Sequence, residues 1–303
     1  MALSPPSPPL GVHASVAGGM ANAYRRGAEL ECGAIQIFVK NANQWRGKDL
    51  VEEEVAAFQA AHEESGIGPL LAHASYLINL AATDPAILDR SREALADELT
   101  RCARLGVHGL VLHPGAHLGT GEEAGIERVA ESLDRVLAEL PGLPEVATRV
   151  LLENTAGQGS CLGHRLEHLA DLRARLREPE RVGVCIDTCH AFAAGYALHE
   201  SAGYEEFVAE LAERIGLEQV GGFHVNDSLR PFASRRDRHA HIGEGEIGLA
   251  CFERLLNDPR LREIPMIVET DPEEEMAGHR RDLAVLRGLL PGGRKRGRGR
   301  KRR

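Results

Sequence analysis

Hydrophobic positions along the chain gather into eight short runs, and each run closes on a polar residue. The runs are GVHAS (11–15), AIQIFVK (34–40), LLAHAS (70–75), LVLHPG (110–115), VLLENT (150–155), VGVCIDTCH (182–190), GFHVND (222–227) and MIVETD (266–271). Apolar runs of this length fit strands buried on both faces, the signature of a parallel sheet. Their polar ends are His13, Lys40, His73, His113, Glu153, Asp187, His224 and Glu269.

The segments between the runs repeat at three- and four-residue steps, as helices packed on a sheet do. Leu88, Leu95, Leu99 and Cys102 share one face of 87–106. Ile126, Val129, Leu133, Val136, Leu137 and Leu140 share one face of 126–140. Gly106 and the Pro141-Gly142 pair are stop signals for these two helices. Further helices are expected at 51–65, 166–177, 204–215 and 273–290. Strand–helix alternation over the whole chain predicts an α/β fold, a single (β/α)8 TIM barrel spanning 10–290. In such a barrel the C-terminal strand ends surround one axis and build the site. A doubly wound open sheet is the alternative fold, but it does not gather nearly every strand end around one axis.

Composition agrees with this size: the chain has 303 residues, 43% of them hydrophobic, and a β/α barrel takes about 250. No apolar stretch approaches the roughly 20 residues of a membrane helix. The start, MALSPPSPPLG, has neither a basic nor an apolar signal region, so residues 1–9 read as a disordered leader and the location as cytoplasmic. Six cysteines (Cys32, Cys102, Cys161, Cys185, Cys189, Cys251) follow no framework spacing and read as reduced thiols. Cys185 and Cys189 flank Asp187, but no second cysteine pair exists to complete a zinc site with them. Net charge is −9, yet the last ten residues, RKRGRGRKRR, hold eight Lys/Arg and no acid. The tail, 291–303, is therefore expected to be disordered. It suits nonspecific nucleic-acid contact through phosphate neutralisation, or else serves solubility alone.

A single histidine at a strand end is more often a hydrogen-bonded structural residue than a ligand, and this holds for His73 or His113 taken alone. Asp187 and His190 (D-x-x-H) can converge beyond the sixth strand, and Asp237 and His239 (D-x-H) project to one side of an extended segment. Either pair alone suits a carboxylate–histidine hydrogen bond. Together, five imidazoles and four carboxylates converge on one barrel mouth, and buried carboxylates in that number repel unless cations neutralise them. The composition therefore predicts a multinuclear metal site. A nitrogen and oxygen donor set rich in imidazole suits zinc, with manganese or iron compatible. Several divalent ions so held favour phosphodiester hydrolysis. They would also leave the mouth net positive and attractive to an anionic substrate.

HASYLINLA (73–81), ENTAGQGS (153–160), GVCIDTCHAFAAGY (183–196), FHVNDS (223–228) and SRRDRHAHIGEGEIG (234–248) resemble the endonuclease IV family. These are zinc-dependent apurinic/apyrimidinic endonucleases of base-excision DNA repair. The resemblance runs from about His13 to Glu269. It implies a β/α barrel with three Zn2+ ions. His73, His113 and Glu153 resemble ligands of the first ion, and Glu153 also resembles the bridge to the second. Asp187, His224 and Glu269 complete the second set; His190, Asp237 and His239 resemble the third. The implied reaction cuts damaged double-stranded DNA on the 5′ side of an abasic site, leaving a 3′-hydroxyl and a 5′-deoxyribose phosphate. The implied catalytic carboxylates are Glu269, which orients a hydroxide between two zincs, and Glu153. No side-chain nucleophile is required.

The resemblance also implies side chains that enter the DNA stack, at Tyr76 and Leu77. An abasic site has lost stacking, so bending and extruding it costs less than for intact DNA. From spacing alone, Tyr76 fits a rim aromatic equally well. Where the family commonly carries arginine, this chain has Asn43, with Arg46 nearby as a candidate substitute. Arg235, Arg236 and Arg238 suit phosphate contacts or plain solvated charges. A monomer is the simplest assembly. Two other readings stand beside this one. A sugar isomerase or epimerase on a similar barrel would need only Glu153, Asp187, His224 and Glu269 around one metal. A non-catalytic DNA-binding protein would work through the basic tail. The five extra ligand candidates separate the first alternative, and deletion of 292–303 separates the second.

Overall fold

The computed structural model describes residues 7–140 and 148–291. Most of the expected leader, the Pro141-Gly142 stop and all but the first residue of the expected tail lie outside the described residues. Eight parallel strands close on themselves: β1 (Leu10–His13), β2 (Ala34–Ile37), β3 (Leu70–His73), β4 (Gly109–Leu112), β5 (Arg149–Glu153), β6 (Val182–Asp187), β7 (Val220–His224) and β10 (Met266–Val268). β10 pairs with both β7 and β1, which completes the barrel and excludes the open sheet. Between strands run α1 (Asn22–Glu29), α2 (Glu52–Ser65), α3 (Pro85–Leu105), α4 (Glu122–Ala138), α5 (Leu166–Arg175), α6 (Thr188–Ala194), α7 (Ser201–Arg214) and α8 (Leu249–Asn257), and α9 (Ala277–Leu289) follows β10. None of the helices among the described residues is long and apolar enough to cross a membrane.

Alternation along each strand sorts the apolar residues into two cores. Outward positions such as Ile35, Leu110, Leu152, Val184 and Phe223 pack with the helices. Inward positions Ala34, Leu71, Val111, Leu151, Cys185 and Ile267 form a separate plug inside the barrel. Leu151 fills the space beside Gly109, where an added Cβ would lie 2.5 Å from the leucine side chain. The next inward position, one pleat toward the C-terminal end, is Gln36, His73, His113, Glu153, Asp187, His224 or Glu269. The plug is thus the floor of the site.

Local signals set the helix ends. Asp84 caps α3 by accepting from the Ala86 and Ile87 N–H groups, Pro85 occupies its first turn, and Gly106 closes it at φ 72°. Leu95, Leu99 and Cys102 are buried as expected, whereas Leu88, near the exposed start, is only half-buried. The six cysteines are free thiols.

The βα alternation is broken after β6, where α6 and α7 follow one another, and again after β7. After β7 the chain forms an antiparallel ribbon of β8 (Asp227–Ser228) and β9 (His239–Ala240). Buried Asp227 holds its return, accepting N–H bonds from Gly243, Gly245 and Ile247 at 3.0, 3.2 and 2.9 Å. The ribbon folds the segment carrying Asp237 and His239 back over the mouth.

Candidate metal centre

All nine expected ligand residues meet at the C-terminal mouth. Glu153 lies at the centre, fully buried, with its two oxygens facing different partners. Oε2 is 3.2 Å from His73 Nε2 and 2.8 Å from His113 Nε2. Oε1 is 2.8 Å from His224 Nδ1, which is also 3.1 Å from Glu269 Oε2. His190 Nε2 is 3.1 Å from Asp237 Oδ2, and His239 Nε2 is 3.3 Å from Asp237 Oδ1 and 3.6 Å from Asp187 Oδ2. Ligand-type atoms gather within 4.8 Å of one another in the sets His73–His113–Glu153, Glu153–Asp187–His224–Glu269 and Asp187–His190–His239. Asp187 and His190 converge through one helical turn: Asp187 caps α6 and its Oδ1 accepts from the His190 N–H at 2.7 Å. One expectation needs correction. Glu153 and Asp187 are buried and Glu269 is partly so, but the Asp237 side chain is 41% exposed, because the ribbon crosses the rim rather than the interior.

Fixed acceptors outside the sets decide which ring nitrogen faces inward. His73 Nδ1 donates to the Ala74 carbonyl at 2.7 Å, and His190 Nδ1 donates to the Asn154 carbonyl at 2.9 Å. Their Nε2 atoms are thereby left for the site. Gln36 does the same for His224. Its Nε2 donates to Glu269 Oε1 at 2.6 Å, so its Oε1 accepts from His224 Nε2 at 2.8 Å and leaves Nδ1 facing Glu153. Asn226 ties two carboxylate residues together, donating to Asp187 Oδ2 at 2.7 Å and accepting from the Glu269 N–H at 2.9 Å. Asn154 accepts from the Asp187 N–H at 2.7 Å. Sequence reasoning missed Gln36, Asn154 and Asn226. The first has the inward parity of β2 and the others directly follow Glu153 and His224-Val225, so strand alternation was the signal available.

The electrostatics are those of charges forced together. Burial pushes Glu153 upward, but His224 and His113 outweigh it and hold the carboxylate well below its ordinary range. Burial also works against the low value of Glu269, which His224 and the His13 contact produce. Asp237 is held at about 2: burial opposes this, and His190 beside it overrides burial. His190 and His224 are correspondingly driven well above the usual imidazole value; burial opposes, but the facing Asp187 for the first, and Cys185 and Glu269 for the second, win. The protons these rings hold are what a divalent cation would displace. The donor set fits such a cation: it is imidazole and carboxylate, and His239 Nε2 is buried without a hydrogen-bond partner.

His13 borders the site through Gln36 (3.0 Å) and Glu269 (3.6 Å), and burial lowers its pKa. Lys40 lines the mouth cavity but its Nζ pairs with Glu98 and joins none of the ligand sets, since β2 ends three residues earlier. Tyr76 is 60% exposed at the rim, its ring 5.3 Å from that of His73. Asn43 and Tyr76 line a cavity of about 1070 Å³ with Glu269 and His239. Leu77 is half-buried, and Arg235, Arg236 and Arg238 are all exposed on the β8–β9 connection. Arg46 lines a different groove with Trp45 and Arg90, so it does not replace Asn43 at the mouth. Cys189 lies near Asp237 and His239, but its thiol points to the Arg238 carbonyl at 3.6 Å and burial drives its pKa to about 12. Away from the mouth, Glu122, His164 and His168 also converge, but the Arg165 guanidinium fills that cluster, 2.6 Å from Glu122 and 2.8 Å from His168.

A closed β/α barrel with overlapping imidazole–carboxylate sets at its C-terminal mouth defines a class of metal-dependent barrel. Comparison with known proteins narrows this. The AP endonuclease family 2 model, described as a xylose isomerase-like TIM barrel, matches residues 24–289. The probable endonuclease 4 of Chloroflexus aggregans is 50% identical over 283 residues, covering 93% of this chain and 98% of the relative. Endonuclease IV from Thermus thermophilus superposes with a TM-score of 0.83 at 39% identity, covering 93% of this chain and 98% of that structure. A D-tagatose 3-epimerase-like protein matches with a TM-score of 0.70 at 18% identity, covering 93% and 96%, a likeness of fold alone. The chain belongs to the endonuclease IV family. It is accordingly a metal-dependent, DNA-cleaving hydrolase of DNA repair.

Proposed function

We propose that this protein hydrolyses the phosphodiester 5′ to abasic sites in duplex DNA, leaving 3′-hydroxyl and 5′-deoxyribose phosphate ends, and that it does so with three zinc ions. The observation that carries this reading is the convergence of eight ligand-type side chains in sets that share Glu153 and Asp187, with Asp237 beside His190 and His239 at their edge. An isomerase needs one metal and has no use for His73, His113, His190, Asp237 and His239. His73, His113 and Glu153 would hold one ion; Glu153, Asp187, His224 and Glu269 a second; His190, Asp237 and His239 a third. Zinc so bound supplies Lewis acidity, making water a nucleophile at neutral pH and neutralising charge on the attacking and leaving oxygens.

The chain's own residues do the rest. Glu153 serves two sets at once because its oxygens face opposite ways. Gln36 holds Glu269 Oε1, leaving Oε2 toward the cluster to accept a hydrogen bond from the attacking water and orient it. Tyr76 and Leu77 enter the DNA stack where a base is missing, Asn43 meets the exposed sugar, and Arg238 contacts a phosphate. The enzyme acts as a monomer in the cytoplasm, and its basic tail adds nonspecific affinity.

The test is a duplex with one tetrahydrofuran abasic analogue, which cannot undergo β-elimination. Scission to a 3′-hydroxyl without added magnesium, loss after prolonged chelation and recovery with zinc are expected. An intact duplex with zinc-loaded protein would overturn the reading.

A further inference from the structure

The loops after β2 and β3 form one side of the mouth and carry Asn43 and Tyr76. Beneath them lies an ion pair that the metal centre does not use. Lys40 Nζ is 2.8 Å from Glu98 Oε1 on α3, and both side chains are 1% exposed. Burying two opposite charges gains little or nothing over apolar residues of similar size, so stability alone is a poor reason for the pair.

The remaining bonds of the pair go to the two loops. Lys40 Nζ also donates to the Gln44 carbonyl at 2.7 Å. Both oxygens of Glu98 accept from the Ser75 N–H at 3.2 Å. Ser75 Oγ then donates across to the Ala42 carbonyl at 2.5 Å, joining the loops directly. Asn43 stands between Ala42 and Gln44, and Tyr76 follows Ser75. The residues at the rim are therefore each flanked by an atom that this network fixes. Tyr76 also meets Phe38, one residue past the end of β2, edge-on at 5.7 Å.

We propose that Lys40 and Glu98 are positioning residues for damage recognition: their buried pair anchors both rim loops to α3, so that Asn43 and Tyr76 meet a damaged strand already in place. Pre-ordering a binding surface lowers the entropy lost on contact, and the benefit falls on the ligand that needs those side chains. Undamaged duplex, held by phosphate contacts, gains nothing from it. This inference rests on the proposed abasic-site specificity.

The experiment uses the full-length, zinc-loaded protein. Lys40→Met with Glu98→Leu replaces the pair by apolar residues and removes every bond it makes to the loops. KM and kcat are measured on the tetrahydrofuran duplex, and Kd on an undamaged duplex of the same sequence. The expected result is a roughly tenfold rise in KM, with kcat and the undamaged-duplex Kd within about twofold of wild type. An unchanged KM, or equal weakening on both duplexes, would overturn the proposal. Ser75→Ala removes only the direct tie between the loops and guards against misfolding of the double variant. It should raise KM about threefold, and an unchanged value there counts against the proposal as well. Wild-type protein that fails to cut the analogue would instead sink the functional reading itself.

Discussion

Replacing Gln36 by Leu isolates the contribution of a residue that touches the candidate ligands without being one. The side chain is fully buried, and its amide bonds to Glu269 and His224 within the ligand sets and also meets His13 Nδ1 at 3.0 Å. Leucine keeps most of the volume, so the barrel should close as before. Each bond lost to Glu269 or His224 involves a charged partner and is worth about 1.5–3 kcal/mol. The buried His224 Nε2 loses its acceptor, and Glu269 Oε1 loses its donor, so both groups are freed to rotate. The share felt by the metal is about 1.4–2.8 kcal/mol, a ten- to hundredfold loss of affinity. Zinc affinity would be measured by competition with a chromophoric chelator, and cleavage of the abasic duplex across buffered zinc concentrations. The activity curve should shift to higher zinc by the same factor, with most of the maximal rate recovered at saturation. An affinity within about threefold of wild type would refute the view that this amide fixes the ligands.

Glu153→Gln should lower zinc content by about two ions per chain, measured by elemental mass spectrometry, because one carboxylate serves two sets. Glu98 gives a pH signature: burial raises its pKa even with Lys40 beside it. The folded protein then holds this proton more tightly than the unfolded chain, so its contribution to stability declines as pH rises from about 4.3 toward the raised folded value. Urea denaturation of wild type and Glu98→Gln across this window should show the decline only in wild type. Leu151→Ala, which empties part of the barrel plug, should cost about 2–5 kcal/mol in the same assay at fixed zinc. Deleting 292–303 should flatten the salt dependence of duplex binding and leave cleavage at low salt unchanged.

The residues that the sequence determined are those whose signal is local. Short apolar runs alternating with amphipathic segments specify strands and crossover helices, and parallel βαβ units leave few ways to arrange them. A polar residue at the end of such a run must point into the mouth or out of it, and His73, His113, Glu153, Asp187, His224 and Glu269 all kept the inward parity. Lys40 did not, because β2 ends at Ile37 and the chain beyond it no longer alternates. What only the tertiary structure decided depends on closure. Gln36 is an unremarked polar residue inside a strand until β10 completes the barrel and brings Glu269, 233 residues away, within 2.6 Å. Asp237 and His239 reach the site only because Asp227 folds the ribbon back, and that same fold leaves Asp237 partly in solvent. Local periodicity fixes which face a side chain occupies. The partner across the barrel is fixed by the register in which eight strands close, and that register belongs to the whole sheet rather than to any segment of it.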